Sequence, residues 1–224
     1  GVLLDRPRPA QEALAPVAEP KPLRIEVVSD VVCPWCYIGK RRLEKALALV
    51  DGEVAATLAW LPFELNPDMP HEGMARADYR RAKFGSPERS QSLDARVAAE
   101  GRGEGIEFAF ERMARTPNTF AAHQLIDLAQ RRGAAGPVVD ALFRAYFEEA
   151  RDIGDPGVLA GIAAQCGVAG WPDAAEVEAV RLVEENIRGL GISGVPTFIL
   201  GRKIGVSGAH PPEALAAAIR EAVS

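Results

Sequence analysis

Between Leu23 and Leu61 the chain reads as strand, helix and strand, and this unit restricts the possible folds more than any other feature. Leu23–Val28 (LRIEVV) is short and rich in β-branched residues, the composition of a strand. From Pro34 onward Leu43, Ala46, Leu47 and Val50 recur at steps of three and four, which predicts a helix. Lys40, Arg41, Arg42 and Lys45 fall on its other faces, and Asp51-Gly52 stops it. Val54–Leu61 (VAATLAWL) is apolar on both alternating faces and predicts a strand buried in the middle of a sheet. Two strands joined through a helix form a parallel pair with a right-handed crossover.

After Pro62 the pattern becomes helical. Ser86-Pro87-Glu88 is a helix start, with serine as cap and proline in the first turn. Further helices are predicted in RTPNTFAAHQLIDLAQRRG, in PVVDALFRAYFEEA, from Asp155-Pro156 to Gly167, and from about Asp173 to Arg188. No strand signal interrupts them. Alternation returns with Val195–Leu200 (VPTFIL), a short GRK turn and KIGVSG, which together predict a hairpin, and PPEALAAAIREAV predicts a closing helix. The expected architecture is α/β: a β-α-β and β-β-α domain built from residues 23–62 and 190–224. An all-helical domain, residues 63–189, interrupts it, and a flexible arm rich in proline and alanine, residues 1–22, precedes it.

With 224 residues, 48% of them hydrophobic, the chain can bury a sizeable core. Its net charge of −5 comes from 26 basic and 31 acidic residues without long runs of either sign, which argues against nucleic-acid and polybasic membrane partners. The apolar runs fall short of the ~20 residues a membrane span needs. Residues 1–22 carry charges where a signal peptide needs ~7–15 uninterrupted apolar residues. With low cysteine usage, this leads to the expectation of a cytoplasmic protein, although a start at Gly1 leaves a trimmed leader open.

Cys33 and Cys36 sit where the first strand gives way to the helix. A sulfur at that turn faces the free N–H groups of the helix N-terminus, whose charge of roughly +0.5 favours thiolate over thiol. Cys36, one turn later, is close enough to form a disulfide and is partly covered by the helix. Cys33 is therefore the candidate nucleophile and Cys36 the resolving thiol. Pro34 fixes the first turn, and Trp35 offers a flat apolar surface beside the sulfur. Both tune the redox poise, and pairs of this spacing span about −270 to −120 mV, so spacing alone does not separate reductant from oxidant.

A zinc site would need two more ligands, typically a second close pair. His71, His123 and His210 are scattered and Cys166 stands alone, so no metal is expected. Two inert core cysteines remain an alternative, but they leave Pro34 unexplained. Cys166, in GIAAQCGV, reads as a structural thiol. Pro196 follows Val195 at the mouth of a strand that reads as buried, where proline withholds a hydrogen bond. A cis Val195–Pro196 bond would turn the backbone towards Cys33, and an ordinary strand-entry proline is the plainer reading.

SDVVCPWCYIGKRRLEKAL together with GVPTFIL resembles the DsbA-like thioredoxin-fold proteins, specifically their FrnE-like branch. WLPFELNPDMP, RTPNTFAAHQLI, ALFRAYFEEARDIGDP and VSGAHPPEAL fit the same branch, so the likeness runs from about Leu23 to the C-terminus. It implies a thioredoxin fold with a helical insertion and thiol–disulfide exchange with protein or small thiol substrates. By that likeness Cys33 is the nucleophile, Cys36 the resolving cysteine and Pro196 the cis-proline beside the sulfur. The redox centre is then the Cys33–Cys36 disulfide, with no separate cofactor. Some FrnE-like members carry a further cysteine pair, which the lone Cys166 does not supply.

Relatives of this branch, the kappa-class glutathione transferases and 2-hydroxychromene-2-carboxylate isomerases, typically have serine at the position of Cys33 and use bound glutathione. They supply the alternative function, a glutathione-dependent isomerase or transferase. Both cysteines point instead to dithiol chemistry, with glutathione open as a co-substrate. Asn66, Asn118 and His123 fall in family-like segments, and Phe63 could line the same substrate groove. Asn118 also reads as a helix cap, and His123 as a hydrogen-bonded packing residue.

Overall fold

The computed structural model describes Ala15 and residues 18–224. The chain runs through β1 (Lys21–Ser29), α1 (Pro34–Leu49), β2 (Val54–Pro62) and β3 (Met74–Ala75). It continues through α2 (Arg76–Phe84), α3 (Pro87–Gly103), β4 (Arg115–Thr116), α4 (Phe120–Arg131) and α5 (Ala135–Phe143). It closes with α6 (Pro156–Gln165), α7 (Glu176–Gly189), β5 (Thr197–Leu200), β6 (Ile204–Ser207) and α8 (Pro212–Ala222).

Four strands form one mixed sheet in the order β2-β1-β5-β6. β1 lies parallel to β2 and antiparallel to β5, and β6 closes the hairpin with β5. This is the thioredoxin-like arrangement that the sequence led us to expect. β1 is its structural centre. Leu23, Ile25 and Val27 enter the main core with Leu43 and Ala46 of α1 and Leu215 and Ile219 of α8, whereas Val28 packs with Phe63 and Ile187 of α7. A strand covered on both faces needs apolar residues at consecutive positions, and Val27-Val28 supplies them.

β2 differs from expectation. It is an edge strand, and its first half is largely exposed, with Leu58 at 40%. Its apolar run includes three alanines, and apart from Val54 its burial is confined to the C-terminal end, which α4 and α7 cover. The inserted block is also not all-helical. Met74 pairs with Thr116 and Ala75 with Arg115 in a two-residue antiparallel ladder, too short to leave a period-two signature. Nor did the pattern reveal α2, whose sequence RADYRRAKF buries no residue and so has no apolar stripe. The segment read as one helix through Ala150 is α5 followed by a π turn at Arg144–Glu148. Of the expected arm, residues 1–14, 16 and 17 lie outside the described residues, while Lys21 and Pro22 already belong to β1.

Tyr37, directly after Cys36, joins the insert to the sheet domain. Its ring stacks on Phe143 with centroids 4.9 Å apart and meets Phe108 edge-on, and its hydroxyl donates to Glu148 at 2.6 Å. Such pairs add to the burial of their area, so α1 is fixed by the insert from its second turn. Arg42, further along α1, binds Glu100 and Glu104 at the end of α3 and the Ala209 carbonyl. Among the described residues no helix is long and apolar enough to cross a membrane.

Candidate active site

Cys33 is the N-cap residue of α1, in extended conformation (φ −95°, ψ 115°), and Pro34 occupies the first helical turn. Proline fits there because its missing N–H would have no intrahelical partner. The approach from β1 is a tight turn in which the Cys33 N–H donates to the Asp30 carbonyl at 3.1 Å. The sulfur of Cys33 therefore stands at the helix N-terminus, and Cys36 lies one turn behind it. The two cysteines approach to 3.6 Å without a bond. Both are buried, Cys36 more completely.

The two thiols are electrostatically unequal. The Cys36 thiol, hydrogen-bonded to Cys33, does most to hold the Cys33 thiol below its usual pKa. Burial opposes this, the Cys36 N–H supports it, the Asp30 charge opposes it, and the Trp35 N–H supports it. The Cys36 thiol is pushed well up by burial and by its role as donor to Cys33. Charge is thus favoured on the outer sulfur over the inner one.

Val195 and Pro196 form the second wall. The Val195–Pro196 peptide is cis, and the Val195 carbonyl oxygen lies 4.0 Å from the Cys33 sulfur. Pro196 can stand so near α1 because residue 39 is glycine: a Cβ there would lie 3.0 Å from Pro196 Cγ and 3.3 Å from Phe198 Cζ. Helix interiors disfavour glycine by about 1 kcal/mol relative to alanine, so Gly39 is explained by this approach.

Beneath the thiols lies a buried polar group, of which the sequence pointed only to His123. Asp30, 1% exposed, meets His123 Nε2 at 3.0 Å through one carboxylate oxygen and accepts from the Leu65 N–H at 2.9 Å through the other. Burial works against a charged His123 ring, but the hydrogen bond and charge of Asp30, with Glu184 and Glu64 nearby, raise its pKa overall. Glu64 is pushed up to about 7, by burial first and then by the Glu184 charge. Arg188 ties this layer together, bonding the Glu184 carboxylate at 3.1 Å and the Glu64 carbonyl at 2.5 Å. The only sequence sign of Asp30 was an acidic residue closing a strand three positions before Cys33.

Cys33, Pro34 and Trp35 line a cleft of about 260 Å³ that opens beside the sulfur. Phe63, Asn66, Asn118 and His123 do not share it. Phe63 and His123 are buried, Phe63 beneath the Arg188 guanidinium. Asn66 touches the cleft only through Tyr79, whose hydroxyl donates to it at 2.8 Å. Asn118 borders a separate cavity, where its amide donates to the Met69 carbonyl and its oxygen accepts from the Phe120 N–H at the start of α4. Cys166 caps the end of α6, far along the chain from the pair. Among the described residues no group of three or more His, Cys, Asp and Glu side chains could hold a metal ion.

Residues 24–220 match the model of the DSBA-like thioredoxin domain family. The chain is 34% identical to a probable DsbA oxidoreductase of Streptomyces coelicolor in its crystal structure, with 89% of each chain covered and a TM-score of 0.78. It is 27% identical over 186 residues to the uncharacterized protein YwbO of Bacillus subtilis, covering 80% of this chain and 87% of that protein. The cytosolic disulfide reductase DsbM of Pseudomonas aeruginosa, solved with GSH, shares the fold at 20% identity and a TM-score of 0.63, with 88% and 98% covered.

Proposed function

We propose that this chain, which belongs to the DsbA-like thioredoxin domain family, is a thiol–disulfide oxidoreductase that works through Cys33 and Cys36. The observation that carries this reading is the inequality of two adjacent thiols, one lowered in pKa at a helix N-terminus and one raised behind it. The Cys33 thiolate attacks one sulfur of a substrate disulfide, forming a mixed disulfide and expelling a thiolate that takes a proton from water. The Cys36 thiol then loses its proton and attacks the Cys33 sulfur. The second substrate thiol leaves, and Cys33–Cys36 becomes the disulfide. Two electrons pass from the pair to the substrate, and the reverse sequence oxidises a substrate dithiol.

The pair is its own redox centre and requires no bound cofactor. Substrates are disulfide-containing proteins or small thiols, and glutathione is a candidate co-substrate, supported by the DsbM structure solved with GSH. The Val195 carbonyl supports the reading as well, since it borders the sulfur where an extended substrate would pass. A cytoplasmic setting, the one stated for DsbM, would set the net direction towards reduction. Insulin-disulfide reduction tests the function: replacing Cys33 or Cys36 by alanine should abolish it. Activity unchanged in both variants would overturn the reading and favour a glutathione-dependent isomerase or transferase.

A further inference from the structure

The cleft beside Cys33 has an uneven distribution of charge. Its volume, about 260 Å³, lies just below the ~300–1,000 Å³ of ordinary ligand clefts, which suits one arm of a small molecule. Phe110, Tyr146 and Phe147 give it an aromatic side. α2 forms another wall with Arg76, Tyr79, Arg80 and Lys83, positions that repeat at helical spacing and so fall on one face. Three cations stand there in a chain whose net charge is −5.

One carboxylate faces them. Asp94 of α3 meets Arg76 at 2.9 Å and Arg80 at 2.7 Å, so it neutralises one of the two guanidinium charges. Arg80 is further held by the Ser90 hydroxyl at 2.5 Å. Lys83 has no ion-pair partner among the described residues. Its ammonium lies 3.3 Å from the Tyr79 hydroxyl and over the rings of Phe84 and Tyr79 at 5.5 and 5.6 Å. The wall is therefore positioned by protein contacts and still carries uncompensated positive charge beside the attacking sulfur.

We infer that this wall is a subsite for a carboxylate, and that the small substrates Cys33 prefers are acid-bearing disulfides. The inference rests on the oxidoreductase reading above. One arm of such a disulfide lies in the cleft with its apolar part on the aromatic side and its carboxylate towards Lys83 and Arg80. Cys33 attacks the sulfur of that arm, the other arm leaves as a thiolate that water protonates, and Cys36 then releases the retained arm as the second thiol. One disulfide becomes two thiols as the protein dithiol becomes a disulfide.

The test is the rate at which the reduced protein is oxidised by three small disulfides of similar length, followed by intrinsic tryptophan fluorescence. Dithiodipropionate is anionic, bis(2-hydroxyethyl) disulfide neutral and cystamine cationic. Each rate is divided by that of the same disulfide with dithiothreitol, which removes intrinsic reactivity. The corrected rate should be highest for the anion, by about fivefold or more over the cation at low salt, and the ratio should shrink as salt rises. Lys83→Glu, at an exposed position, should lower the ratio several-fold. Lys203→Glu, the same charge change in the β5–β6 turn, should leave it alone. Equal corrected rates, or a ratio that Lys83→Glu does not move, would overturn the subsite while leaving the oxidoreductase reading intact. Failure of all three disulfides to oxidise the pair would overturn that reading, and the subsite with it.

Discussion

The carbonyl oxygen of Val195 stands 4.0 Å from the sulfur of Cys33, across 162 positions of sequence. β1 and β5 lie side by side, with Val28 opposite Thr197, so the turn before α1 and the turn before β5 end at the same place. One brings a sulfur with a helix N-terminus behind it, and the other a backbone edge. Neither makes a site without the other, and their meeting is set by strand order.

The first prediction concerns thiol ionisation. Cys33 should react with iodoacetamide well below pH ~8.5, the free cysteine value, while Cys36 stays unmodified. Because the Cys36 thiol is the largest influence lowering Cys33, Cys36→Ala should move the Cys33 titration upward. Rate–pH profiles of alkylation measure both, and identical profiles for the two proteins would contradict the assigned cause.

The second concerns Asp30. Asp30→Ala leaves His123 buried beside an empty position and should destabilise the protein by about 3–5 kcal/mol, the usual result of breaking a buried charged pair. Asp30→Asn should be milder. Since the Asp30 charge opposes the Cys33 thiolate, Asp30→Asn should also lower the Cys33 pKa, a change that loss of packing alone would not produce.

The third is a pH dependence of stability. His123 is raised above its unfolded value of ~6.5, so its contribution is complete below that pH and is lost as pH rises through the folded value. Glu64, raised to about 7, contributes below its unfolded value of ~4.3 and loses that contribution as pH rises through 7. Glu64 makes stability fall between about pH 4.3 and 7, and His123 makes it fall further as pH rises above ~6.5. Glu64→Gln should therefore raise stability at pH 8 by roughly 1–2 kcal/mol, after allowance for solvent screening, and change little at pH 4. Urea midpoints at the two pH values check it.

The fourth is steric. Gly39→Ala places a methyl 3.0 Å from Pro196 Cγ and 3.3 Å from Phe198 Cζ, so α1 or the Pro196 turn must shift. Overpacking of this kind destabilises by about 1–3 kcal/mol, more than the gain in helix propensity. Disulfide exchange should slow along with the loss in urea midpoint, because the displaced parts are the two walls of the site.

The pair, its helix and the proline wall were legible in the sequence because each depends on local rules: a strand composition, a proline at a first turn, a proline where a buried strand begins. β2 was misplaced because alanine satisfies an apolar pattern without requiring burial. α2 was missed because a helix that faces a cleft with arginine, tyrosine and lysine has no hydrophobic stripe, though Arg76, Arg80 and Lys83 at helical spacing before Gly85 were a sign of it. The Asp30–His123 contact joins residues 93 positions apart, and no local pattern pairs them. His123 stood out from its family-like segment as a groove candidate, but its partner and its burial became visible only in the packed structure.

The central claim is that Cys33 attacks and Cys36 resolves. Its most direct measurement is mass spectrometry of Cys36→Ala protein after exposure to disulfide substrates. Mixed disulfides should accumulate at Cys33, and they should vanish when Cys33 is also replaced. Adducts that persist without Cys33, or a Cys36→Ala protein that turns over without accumulating any, would contradict the account.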